Sequence, residues 1–176
     1  NDAYLTLTDL QDAKKRADDM LKRSIEDILA DIERTLNDKM REFNDTLFVD
    51  SRKAPRIRFK EYNSYEFETP SDTGTGSNYK GMVIYDLAML YLTALPAIVH
   101  DSLILKNIGD GAVNGIMKIY AASEKQVFIA FDKQAAYKAD TQKILSDNMV
   151  LKLSDGNCEL YGQSWNKEVS DNEDEL

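Results

Sequence analysis

The chain has 176 residues, 43% of them hydrophobic and 9% aromatic, with a net charge of −9, one cysteine and one histidine. That apolar content suits one domain of ordinary size plus an extended element, and it excludes a chain disordered throughout. The acidic balance excludes a protein that coats nucleic acid with its whole surface, and the single Cys158 and His100 exclude an internal disulfide and a Cys/His metal cluster.

No signal peptide and no apolar run long enough to span a bilayer is readable, so a cytoplasmic protein without membrane contact is expected. The sequence opens at Asn1 and near the start of a helix, as a fragment of a longer polypeptide would.

Residues 1–45 form the first unit, a coiled-coil helix. From Thr8 to about Asp45 apolar residues recur at Leu10, Ala13, Ala17, Met20/Leu21, Ile25, Ile28, Ile32, Leu36, Met40 and Phe43, with Thr8 and Gln11 placed as N-cap and N3 of a capping box. Spacings of three and four put one apolar stripe on a charged rod. At ~1.5 Å per residue that rod is on the order of 55 Å long, more than a compact domain needs, so part of it is expected to project and pair with a partner helix. The stripe drifts from a strict heptad, which leaves open an amphipathic helix lying wholly on its own domain.

Residues 46–167 form the second unit. Thr46–Val49, Arg56–Lys60 and Tyr65–Glu68 alternate apolar and polar residues between turn signals and read as a small antiparallel meander. Its wet face gathers Arg52, Lys53, Arg56, Arg58 and Lys60, the one dense basic patch in an acidic chain. Such a patch suits a phosphate backbone, including DNA, and equally suits an edge strand blunted by charge.

A Gly/Thr/Ser turn, Asp72 to Asn78, follows. Gly74 and Gly76 permit close backbone approach, and Ser77 or Asn78 can cap the helix from Tyr79 to about Ala94. A helix opening in this way offers amide donors to phosphate, although most such turns are only loops. The helix is apolar nearly all round and must be buried; Asp86, its lone acid, needs a partner or a wet gap.

Next come an apolar strand ending Ile98-Val99-His100-Asp101-Ser102, a helix from Ala112 to Ser123 with Asp110 as N-cap, and a second apolar strand, Val127 to Phe131, ending in Asp132. Two buried strands finishing on acids, with a helix between them, match open α/β sheets, which present ligand groups at the carboxyl ends of their strands. Asp101 is placed where a carboxylate can hold Mg²⁺ through its waters. His100 suits a hydrogen-bonded structural role before that of a base. A helix over Gln134–Ser146 and two further strands, Met149–Leu153 and Glu159–Gly162, joined by an Asp155-Gly156-Asn157 turn, should complete the sheet. Residues 168–176 form an acidic tail expected to be disordered.

The order of these pieces resembles the C-terminal half of an SMC-like, ABC-type ATPase head. More narrowly, Thr73-Gly74-Thr75-Gly76, Ile84-Tyr85-Asp86-Leu87-Ala88-Met89-Leu90 and Val99-His100-Asp101-Ser102 resemble the uncharacterised domain-of-unknown-function family at the C-terminal end of prokaryotic SMC/RecN-type ATPases. The resemblance implies a P-loop NTPase-like α/β lobe of mostly parallel strands with a projecting N-terminal coiled-coil helix. It places Gly74, Thr75, Gly76, Ser77 and Asn78 at the signature that binds ATP held by the opposite head, Asp101 at the Walker B aspartate beside Mg²⁺, Asp110 at the D-loop and Asp132 at the switch position. It also implies the N-terminal half of the same head as partner, a homodimer through heads or coiled coil, and a role in DNA repair or anti-phage defence.

Three departures weaken hydrolysis. The signature lacks its Ser-Gly-Gly-Gln/Glu form, Ser102 replaces the catalytic glutamate, and Asp132 replaces the histidine. Serine is no base at neutral pH, so His100 or Asp132 are the nearest groups to activate water. No G-x-x-x-x-G-K-[ST] occurs, so this chain alone should turn over no ATP. A non-catalytic coiled-coil scaffold or oligomerisation domain is the alternative. A phosphotransfer enzyme with Asp101 as nucleophile lacks the second acid it would need.

Overall fold

A computed structural model describes residues 2–47, 53–70, 74–132, 134–154 and 158–162. The first element, α1, runs unbroken from Asp2 to Leu47, about 70 Å at ~1.5 Å per residue. It begins upstream of the expected cap: Thr8 lies inside the helix and its hydroxyl donates to the Tyr4 carbonyl at 3.0 Å. The apolar stripe divides along its length. Leu36, Met40, Phe43 and Leu47 are buried, whereas every described side chain from Tyr4 to Ser24 is exposed.

The expected meander is a two-stranded hairpin among the described residues. Strand β1 (Arg56–Glu61) pairs antiparallel with β2 (Ser64–Glu68), Ile57 opposite Phe67 and Phe59 opposite Tyr65. Thr46 and Leu47 belong to α1, and Phe48 and Val49 lie outside the described residues. The outer edge of β1 is closed by α1. The Asn37 side chain donates to the Ile57 carbonyl and accepts from the Ile57 amide, both at 2.8 Å, and Glu33 accepts from the Phe59 amide at 2.9 Å. Two side chains of a helix thus take the place of a neighbouring strand.

Helix α2 (Thr75–Leu92) buries Val83, Ile84, Leu87, Ala88 and Leu90 and forms the centre of the core. It starts earlier than the sequence suggests: Gly74 is the N-cap, and Ser77 and Asn78 sit within the first turn, their amides donating to the Gly74 carbonyl. At the other end Lys125 donates to the Thr93 carbonyl at 2.5 Å and to the Leu90 carbonyl, placing a cation on the helix C-terminus. The hairpin lies on α2 through Phe67 edge-on to Tyr85, with ring centroids 5.6 Å apart.

Strand β3 (Ala97–Asp101), helices α3 (Ser102–Lys106) and α4 (Asp110–Ala122), and strand β4 (Gln126–Ala130) make the second sheet. The two strands run parallel, Ala97 opposite Gln126 and Asp101 opposite Ala130. They are half-buried rather than fully buried. His100 and Ile98 face the helices, while Val99 and Phe128, on the other face, are 75% and 49% exposed. Helices cover only one face of this pair among the described residues.

Beyond β4 the expected helix is a 3₁₀ turn (Gln134–Ala136) followed by α5 (Ala139–Asn148). The two completing strands do not form. Met149–Leu153 is strand-like in sequence but pairs with nothing described, Leu160–Gly162 is a 3₁₀ turn, and one isolated bridge joins Ser154 to Cys158. The Asp155–Asn157 turn and the tail lie outside the described residues.

Candidate functional site

The parallel pair gathers the acids named from sequence at its carboxyl edge. Asp101 ends β3 in register with Ala130, just before Asp132. Local chemistry accounts for its placement. Asp101 is the N-cap of α3, and its Oδ1 accepts from the Leu103 amide at 3.4 Å and from the Ser102 hydroxyl at 3.2 Å. Asp132 pairs with Lys106 at 2.5 Å, on the last turn of the same short helix. Tyr137 joins this edge: burial raises its phenol first, and the Asp110 and Asp132 carboxylates add to that shift.

Asp110 lies in the first turn of α4 and Gly109 is the N-cap, one residue earlier than expected. The Gly74–Asn78 turn packs against the connection between α3 and α4. A Cβ on Gly76 would stand 2.5 Å from the Asn107 carbonyl oxygen, so the close approach allows only glycine there without backbone movement. The turn, the α3–α4 connection and the Asp101 edge are therefore consecutive parts of one region. Asp72 and Thr73 lie outside the described residues.

Both ring nitrogens of His100 have partners. Its ring is buried; Nε2 lies 2.9 Å from Asp86 Oδ2 and Nδ1 meets the Tyr120 hydroxyl. Asp86, an acid in an apolar helix, thus has its partner in the lone histidine. Tyr120 was not legible: it sits on the apolar face of α4, twenty residues from His100, with no motif to mark it.

The described donors do not by themselves enclose a metal ion. No group of three His, Cys, Asp or Glu side chains converges among the described residues, and Asp101 offers one carboxylate already engaged in capping. The basic patch is also altered. Arg56 pairs with Glu68 and Lys60 with Glu66 across the hairpin, and Arg58 faces Glu66 in register. Among the described residues the hairpin presents a ladder of mixed charge rather than a basic field, and Arg52 lies outside them.

A groove of about 630 Å³ runs beside β4. Val127, Phe128, Ile129, Ala130 and Phe131 line it in succession, which happens along a strand edge and not on one face of a strand. Its walls are mostly apolar, with Met117, Tyr120 and Ala121 of α4, Ile144 and Leu145 of α5, the exposed run Met149–Val150–Leu151 and Val99 of β3, and its polar members are Ser123, Lys125, Gln134 and Asn148.

The fold and this edge define a mixed α/β protein with, among the described residues, one antiparallel hairpin and one parallel strand pair. The chain belongs to DUF2326, a family described as an uncharacterised protein conserved in bacteria, whose model matches residues 28–165. No curated protein matches it. No helix among the described residues is long and apolar enough to cross a membrane.

Proposed function

We propose that this chain is the C-terminal half of an SMC-like ATPase head, which completes a composite ATP site when a companion segment carrying the phosphate-binding loop joins it. The observation that carries the reading is the parallel β3–β4 pair, with acids at its carboxyl edge and the outer edge of β4 open in a mostly apolar groove. Parallel sheets are ordinarily buried on both faces and extended by further strands, so a pair left open in this way suits one lobe of a larger sheet. In the joined head Asp101 would stand toward Mg²⁺, which supplies charge neutralisation at the phosphates. The Gly74–Asn78 turn would face nucleotide held by the opposite head. The exposed half of α1 suits a coiled coil that moves with the nucleotide state, on DNA in repair or anti-phage defence.

A second reading has its own observation. Both His100 nitrogens are engaged and Asp132 is paired with Lys106, so neither nearest candidate is free to activate water. That favours a head that closes on ATP without fast turnover, or a scaffold that has lost catalysis.

The test is ATP hydrolysis by this chain co-expressed with the phosphate-binding half of its parent polypeptide, wild type against Asp101→Ala. Turnover abolished by the substitution supports the composite site. No turnover together with no ATP-dependent association of heads leaves the scaffold.

A further inference from the structure

His100 joins three elements at one point. It lies on β3 immediately before Asp101, its Nε2 is 2.9 Å from Asp86 of α2, and its Nδ1 meets Tyr120 of α4. Asp86 fixes the direction of these bonds. A carboxylate only accepts, so the 2.9 Å contact puts the ring proton on Nε2, which donates to Asp86. In that tautomer Nδ1 accepts from the Tyr120 hydroxyl.

An apolar trio would pack at this junction with less desolvation cost. What the polar chain adds is direction, because two linked hydrogen bonds are satisfied in one relative placement of α2, β3 and α4. The α2 helix meets the β3–α3 unit at a second point as well, where Gly76 leaves no space against the Asn107 carbonyl. Gly76 and Asp86 are separated by about 15 Å of helix at ~1.5 Å per residue. The helix that starts in the Gly74–Asn78 turn is thus pinned to the Asp101 strand at two separated places.

We propose that the Asp86–His100–Tyr120 chain is a positioning device that sets where Asp101 stands relative to α2, with His100 as its pin. This rests on reading the Asp101 edge and the α2 turn as two parts of one site. A shift of α2 changes the Asp86–His100 bond and, through β3, the Asp101 cap of α3.

The test uses the chain alone and no nucleotide, so its failure is distinct from failure of the ATPase reading. Nitrogen-15 NMR of His100 should show the proton on Nε2. Tyr120→Phe, which keeps the ring, and Asp86→Asn should each speed amide exchange at Leu103, the amide that Asp101 caps, by about ten-fold beyond the change in global stability, on the scale of one hydrogen bond. The control is Asn114→Ala, which removes the 3.0 Å Asn114–Thr141 bond between α4 and α5, away from the pin. In that variant Leu103 exchange should follow global stability. A proton on Nδ1, or Leu103 exchange that follows global stability in all three variants, would overturn the proposal.

Discussion

The described residues hold two two-stranded sheets that differ in how their edges end. In the β1–β2 hairpin the outer edge is finished within the chain: Asn37 and Glu33 of α1 take the Ile57 and Phe59 amides, and Ile57 is buried. In the β3–β4 pair no described strand continues the sheet beyond β4, the groove beside it is mostly apolar, and Val99 and Phe128 face outward. The same contrast runs along α1, whose C-terminal half is docked and whose N-terminal half is bare. Buried area and satisfied amides follow the first set; exposed apolar surface without a partner follows the second. In water such surface is costly unless something covers it.

The largest effects should come from the closed side. Met40→Ala, at a fully buried position, should cost about 2–5 kcal/mol in urea unfolding, whereas Phe128→Ser in the lobe alone should stay within about 0.5 kcal/mol. Similar losses for the two would erase the contrast. Next is Asn37→Ala, which strands the Ile57 amide and carbonyl and should cost about 1–3 kcal/mol. Gly76→Ala should cost a comparable ~1–3 kcal/mol, because the contact is with backbone, and it should also displace the start of α2, seen as shifted amide resonances at Asn107.

Smaller effects come from titration. Tyr120 holds its proton more tightly folded than unfolded, so the folded state binds more protons above the ordinary value of 10 and stability should fall as pH rises past it. Tyr120→Phe should flatten that decline in melting curves taken across the alkaline range; Tyr85 and Tyr137, raised in the same direction, leave a remainder. The smallest is at Glu66, whose carboxyl Lys60 holds below 4.5 through a hydrogen bond and its charge. The stability it adds is present above that value and lost as pH falls. Lys60→Met should remove this acid-side dependence and change little else, since the pair is exposed.

Sequence periodicity identifies what is local. The apolar stripes of α1, α2 and α4 and the apolar runs of β3 and β4 are set by neighbours within one or two turns, and those elements formed. Element starts were less legible. The capping box at Thr8 is outweighed by helix continuing upstream, and Gly74 begins α2 without any side-chain cap to mark it. Met149–Leu153 is an apolar run like a strand's, yet a strand requires a neighbour, which apolar composition does not supply. At the site, Asp101 and Asp132 reach one edge because parallel strands bring their ends together. Their partners, Lys106 for Asp132 and Tyr120 for His100, depend on packing between elements and carried no local signal.

The most direct test of the open sheet is hydrogen exchange at the Val127–Phe131 amides, measured in this chain alone and with the proposed companion segment that carries a phosphate-binding loop. An open edge predicts fast exchange at the outward-facing amides alone, and slowing by about a hundred-fold or more once the companion is present. Unchanged exchange in a verified complex would contradict it, and would mean that β4 is not where the sheet is continued.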